Sequence, residues 1–230
     1  MRVLTWNLFH GRSVPGAGRP LEREFAAALA GWDWDVALLQ EVPSWWPEAL
    51  ARACRAHQRT ALTSRNSLAP VRRAIARRWP DLIKSNGGGA NAILVRGAPP
   101  EEHRVAQLRR RPERRVLHAV GLAGGTWVAN LHAQVRPHSA ARADIAAAAA
   151  ALHGWRGGGP AVMGGDLNVP DPAPAGFTHL GGRGVDHVFA VGLIAAAPAQ
   201  VLDSARLSDH EPILVEVESA LSGAGRNRAS

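Results

Sequence analysis

The chain has 230 residues, 46% of them hydrophobic, enough for one sizeable core and within the span of a single α/β domain. Its formal charge of +8 favours polyanionic partners, although Lys84 is the only lysine among 27 basic residues and an Arg-, Ala- and Gly-heavy composition also follows from coding bias. Cys54, the only cysteine, excludes an internal disulfide and a thiolate zinc cluster, and no apolar run approaches the roughly 20 residues that span a bilayer.

Residues 2–7 read as a first buried strand. MRVLTWN has a single basic residue and then only a short apolar stretch, so no secretory leader is expected and the expected location is cytoplasmic. Leu21, Phe25, Ala28 and Leu29 then repeat at helical spacing, with Glu22 and Glu24 at the positive end of the helix. A strand follows at 35–40, then a helix capped by Ser44 and running to about Arg55. The spacing predicts another helix over 67–78, with Leu68, Val71 and Ile75 inward and Arg72, Arg73, Arg77 and Arg78 outward. After a strand at 91–96, strands at 115–121 and 126–132 are joined by a turn at Ala123-Gly124-Gly125, an antiparallel hairpin. The longest helix starts near Ser139, carries Ile145, Ala149, Leu152 and Trp155, and stops at Gly157-Gly158-Gly159. Strands are expected at 160–165, 185–190 and 211–217. A hairpin beside strand-helix-strand units implies a mixed sheet. One domain is expected over residues 1–218, with 219–230 a disordered tail.

The chemistry gathers where these apolar runs end. Asn7 closes the first strand, where its amide can orient a metal-bound carboxylate or merely cap a turn. Glu41 follows DVALLQ, and its carboxylate emerges at the end of a central strand; Mg²⁺ needs only one or two such oxygens when a phosphate supplies the rest. In Gly164-Gly165-Asp166-Leu167-Asn168 the glycines let the backbone turn sharply. Strand alternation would aim Asp166 and Asn168 to one side, as a water-activating acid and a phosphate-binding amide, and an Asx turn is the other reading. Asp186-His187 and Ser208-Asp209-His210 offer the acid–imidazole pairing that fixes a tautomer and raises basicity, and His132 ends WVANLH on the same rim. His10, His57, His103, His118, His138, His153 and His179 read as ordinary surface histidines.

TWN, QE, NLH, GDLN, VDH and SDH, in that order, resemble the endonuclease/exonuclease/phosphatase superfamily, the fold of deoxyribonuclease I and of the exonuclease III type repair nucleases. Asn91-Ala92-Ile93-Leu94 is similar to another of its strands. The resemblance implies an α/β sandwich of four layers, two packed mixed β-sheets flanked by helices. It implies Asn7 and Glu41 at the metal, Mg²⁺ or alternatively Mn²⁺, with Asp209 completing the acidic cluster. It implies His132 and Asn168 on the phosphate, Asp166 on the attacking water, and His210 on the phosphate or as acid/base, oriented by Asp186. Two positions depart from the pattern. Phe9 stands where the repair nucleases commonly carry an Asp, and the chain has no tyrosine to place near the phosphate. The resemblance therefore favours a general phosphodiesterase over a repair enzyme.

The expected substrate is nucleic acid cut with low sequence specificity, by a monomer. A small phosphorylated metabolite or lipid headgroup is the alternative, and a catalytically silent phosphate- or nucleic-acid-binding module the third. Arg109, Arg110, Arg111, Arg114 and Arg115 would either track a phosphate backbone or form a solvated edge. Trp45 and Trp46 would either stack on a base or sugar or anchor a helix on the core.

Overall fold

The computed structural model describes residues 1–63, 68–82 and 89–220. The chain lays down β1 (Arg2–Asn7), α1 (Glu22–Gly31), β2 (Val36–Val42), α2 (Pro47–Cys54), β3 (Ala56–Leu62), α3 (Ala69–Arg78) and β4 (Ala90–Arg96). It then builds β5 (Glu102–Arg109), β6 (Arg115–Gly121), β7 (Trp127–His132), α4 (His138–Trp155), β8 (Ala161–Asp166), β9 (Thr178–Arg183) and β10 (Asp186–Val191). It returns through β11 (Leu193–Ala195), β12 (Gln200–Val201) and β13 (Ile213–Ser219). One sheet has the order β11-β13-β1-β2-β4-β3, with β12 also on β13; the other runs β5-β6-β7-β8-β10-β9.

Both sheets are mixed, and strand alternation sorts the core into three apolar seams. Leu4, Trp6, Ala37 and Leu39 point outward and bury Phe25 and Leu29 of α1 and Leu50 of α2. Val3, Val36, Leu38, Val128, Val162 and Val188 meet between the sheets. Leu117, Ala129, Leu131 and Met163 face Ile145, Ala148 and Leu152 of α4. This is the expected four-layer sandwich, and its central strands are continuous apolar runs because both faces are covered.

The face between the sheets turns polar towards one end. Gln40 Nε2 donates to Thr5 Oγ1 (3.1 Å) and, across the gap, to Asn130 Oδ1 (2.8 Å). Asn130 Nδ2 donates back to the carbonyls of Leu39 (2.8 Å) and Ala92 (3.0 Å). These bonds hold the two sheets in a fixed relation just below the strand ends. Among the described residues no helix is long and apolar enough to cross a membrane.

Several expectations need correcting. Ser44 does not cap α2; the helix opens at Trp46-Pro47 without a side-chain cap, proline supplying the helical φ of the first turn. On α3, Leu68 and Val71 are 73% and 54% exposed whereas Ala76 is buried, so the apolar stripe does not face inward. Residue 67, where that helix was expected to start, lies outside the described residues. Strands β3, β5 and β9 were not expected, because AHQRTAL, EHRVAQLR and THLGGR are edge strands too polar to show an apolar run. Ser219 still belongs to β13, and the rest of the expected tail from 221 lies outside the described residues. His118 is a fully buried core residue, its ring 4.8 Å from that of His103.

Candidate active site

Strand register gathers most of the site. β1 and β2 run parallel with Asn7 beside Gln40, so Glu41 follows directly at the same end. In the second sheet β7 and β8 run parallel with His132 beside Asp166, and antiparallel β10 sets Asp186 on Asp166's other side. The segment 208–210 leads into β13, which pairs with β1, and is tied to that strand. Ser208 Oγ donates to the Asn7 carbonyl (2.7 Å), and Trp6 Nε1 donates to that of His210 (3.1 Å).

At several positions of the site the backbone is bent into the left-handed region. Phe9, His10, Glu41 and Asn168 all have positive φ, at 47°, 54°, 51° and 53°. A left-handed non-glycine residue costs on the order of 1–3 kcal/mol, and such strain persists where the surroundings over-determine it. At Glu41 the β2–β4 ladder slips between Leu39 and Val42. At Gly165, φ is 144° and a Cβ would sit 1.8 Å from the Leu131 carbonyl oxygen, so only glycine lets β7 and β8 close up beside Asp166.

Asp166 is the hub. Its Oδ2 accepts from Asn7 Nδ2 (3.0 Å) and lies 3.5 Å from His132 Nε2 and 3.8 Å from His210 Nε2. Its Oδ1 accepts the Asn168 backbone N–H (3.1 Å), so the Asx turn forms and replaces strand alternation. Asn168 Nδ2 donates to the Ala133 carbonyl (3.0 Å), which leaves it one amide hydrogen for a ligand. Glu41 Oε1 lies 3.9 Å from His132 Nε2. His210 Nδ1 donates to Asp186 Oδ2 (2.7 Å), and Asp209 Oδ1 is 4.0 Å from His210 Nε2 at the exposed edge of the cluster. All eight residues singled out in the sequence therefore meet at one place.

His187 does not join them. Strand alternation turns it to the opposite face from Asp186, where its ring meets His179 (3.2 Å) and the Gly184 carbonyl (3.1 Å). The arginine run also divides. Arg109 pairs with Asp144 of α4 (3.0 Å), and Arg115 is only 4% exposed, paired with Glu113. Trp46 is buried against Phe25 (5.4 Å between rings), whereas half-buried Trp45 faces the Arg73 guanidinium at 5.8 Å.

One residue of the site was misread as surface. His10 Nε2 lies 3.0 Å from Glu41 Oε2. Periodicity cannot register such a residue, because it sits in a left-handed turn past the strand end; the signal in FHG is its glycine, which packs against Trp46.

The electrostatics divide the titratable groups into opposed roles. Burial, and then the charge of Asp166, pushes Glu41 up to about 7; burial, and then Asp186, pushes Asp166 up to about 6. Burial alone would lower His210, but the bond to Asp186 and the charges of Asp186, Asp166 and Asp209 outweigh it and raise the imidazole to about 9. Burial and the Arg115 charge hold His132 well below 6.5, and burial with Arg12 and Arg115 takes His10 down to about 4. A cationic imidazole thus stands on one side of two strained carboxylates and neutral imidazoles on the other.

The donor set fits a divalent cation. Two buried carboxyls that resist ionisation gain their full charge when a cation offsets the repulsion between them. Among the described residues, Asp166, Asp186 and His210 present ligand atoms within 4.8 Å of one another. His210 Nδ1 is already engaged by Asp186, and Asn7 spends its Nδ2 on Asp166 and its Oδ1 on the Phe9 N–H, so on the β1–β2 side the oxygen donor is the Glu41 carboxylate.

The similarities to known proteins agree with this geometry. A crystal structure described as an endonuclease/exonuclease/phosphatase from Beutenbergia cavernae superposes with a TM-score of 0.71 at 18% identity, covering 95% of this chain and 71% of that one. A mannosyl-6-phosphatase from Bacteroides thetaiotaomicron matches with a TM-score of 0.69 at 15% identity over 95% of this chain and 99% of that one. The Caenorhabditis elegans protein TDP2 matches at 0.64 and 15% identity, over 96% and 74%. At these identities the likeness is one of fold. No curated protein matches the sequence. The family model described as "Endonuclease/Exonuclease/phosphatase family" matches residues 4–210, from the first strand to the histidine paired with Asp186, and the chain belongs to that family.

Proposed function

We propose that the chain is a Mg²⁺-dependent phosphodiester hydrolase acting on nucleic acid with low sequence specificity. One observation carries this reading: Asp166 Oδ2 has an amide from one sheet and two imidazole nitrogens within 3.8 Å, an arrangement built around a single reacting group. Glu41 and Asn7, with Asp209 at the rim, would hold the cation, which supplies positive charge to a phosphoryl oxygen. Asp166 orients the attacking water and accepts its proton. His210, kept cationic by Asp186, donates to the leaving oxygen. Asn168 and His132 bind the non-bridging oxygens, where each such contact typically contributes a few kcal/mol to the transition state.

An open groove of about 810 Å³ supports a polymeric substrate. It is lined by Trp45, Gln58, Thr60, Pro70, Arg73 and Arg77 among others. Thr60 pairs with Ala92, which pairs with Leu39, so the groove flanks the strand end that carries Glu41. An indole beside two guanidinium groups suits a base and its backbone phosphates. A phosphatase acting on a small phosphorylated metabolite is the second reading, favoured by the likeness to a mannosyl-6-phosphatase that is almost fully covered, at 99% of its chain.

A panel of plasmid DNA, RNA, bis-p-nitrophenyl phosphate, a sugar 6-phosphate and inositol phosphates, each with Mg²⁺ and with chelator, tests the reading. Cleavage of the nucleic acids and the synthetic diester is expected. Turnover confined to monoesters would replace the nuclease reading with the phosphatase, and no turnover of any ester would leave a binding module.

A further inference from the structure

We propose that His10 is a nitrogen ligand of the divalent cation beside Glu41, giving a mixed nitrogen–oxygen centre that takes a first-row transition ion in preference to Mg²⁺. This rests on the metal reading of Glu41 given above. His10 Nε2 and Glu41 Oε2 are 3.0 Å apart. Two ligand atoms each about 2.1 Å from one cation and at right angles to each other lie about 3.0 Å apart. The pair has the spacing of one edge of an octahedron.

The turn that carries the ring is held at every point. Leu8 N–H still bonds to the Gln40 carbonyl (2.9 Å), and the Phe9 N–H bonds to Asn7 Oδ1 (2.9 Å). Phe9, His10 and Gly11 then take φ of 47°, 54° and 77° in succession. A Cβ on Gly11 would lie 2.3 Å from the Trp46 ring, so the turn is seated tightly on the core. The strain aims one side chain at Glu41, and that side chain is an imidazole. Phe9, its neighbour, has no ligand atom to offer. Imidazole nitrogen suits transition ions, whereas Mg²⁺ takes oxygen donors and keeps its waters.

The competing account is a plain hydrogen bond, His10 Nε2–H donating to Glu41, and the two differ in what a bound paramagnetic ion detects. Mn²⁺ is added to the metal-free full chain and the electron spin-echo modulation of the bound ion is recorded. The wild type is expected to show nitrogen-14 modulation from a directly bound imidazole. His10→Asn, which tolerates a left-handed φ, is expected to lose it, with Mn²⁺ bound about tenfold more weakly and Mg²⁺ affinity changed less than about twofold. The wild-type spectrum needs no variant to fold, and absence of nitrogen modulation there overturns the proposal. Modulation that survives His10→Asn and disappears in His132→Asn overturns it too. Mn²⁺ binding lost in Glu41→Gln but indifferent to His10→Asn removes the His10 ligand and leaves the Glu41 centre standing. Binding indifferent to Glu41→Gln, or no binding at all, removes both.

Discussion

Glu41 and Asp166 are held against their own preference. Each is taken out of water and set beside a second carboxyl, so each keeps its proton to higher pH than an ordinary acid, about 7 for Glu41. A carboxyl whose folded value is raised contributes stability that is complete below its unfolded value and is lost as pH rises through the folded one. For Glu41 that window runs from 4.5 to about 7. The metal-free Glu41→Gln variant should therefore be more stable than wild type at pH 8, by on the order of 2 kcal/mol, while turnover falls at least about 100-fold. Urea unfolding in chelator and a diester assay read the two effects, and a variant that lost stability would contradict the account. His210 is raised too, but for an imidazole the shift favours the charged form. Asp186 and the neighbouring carboxylates keep it protonated up to about pH 9, so the proposed acid role predicts the alkaline limb of the wild-type rate profile there. Asp186→Asn should move that limb towards 6.5, and an unmoved limb would show that Asp186 does not orient the acid.

At the scale of elements, the closest tolerance lies where β7 meets β8. Gly165→Ala would press a methyl group against the Leu131 carbonyl, breaking the parallel pair that aligns His132 with Asp166. It should cost more than about 3 kcal/mol in an unfolding curve, and a near-neutral effect would mean that the strand ends can separate without harm. The elements were unevenly legible. Central strands, covered on both faces, announce themselves as apolar runs, and the motifs at their ends were readable because they close those runs. Edge strands β3, β5 and β9 carry one wet face and no such run. The stripe on α3 was read from spacing alone, and spacing does not say whether a partner is there to cover it. His10 stayed hidden because its place depends on three left-handed residues, a property of the packed turn rather than of the residue types.

For the whole molecule, the decisive feature is that two sheets meet with their functional ends on the same side. Gln40 and Asn130 bond across the gap directly beneath that end, which holds Asn7 and Glu41 from one sheet in a fixed spacing to His132, Asp166 and Asp186 from the other. The groove beside Trp45, with Arg73 and Arg77 in its lining, flanks this fixed centre, and the net positive charge of the chain favours the approach of anions. Crystals grown with Mn²⁺ and inorganic phosphate, measured at an energy where manganese scatters anomalously, test the central claim most directly. The account predicts an anomalous peak bonded to Glu41, with the phosphate between it and His210. A peak elsewhere on the molecule, or a phosphate out of reach of both His132 and His210, would contradict it.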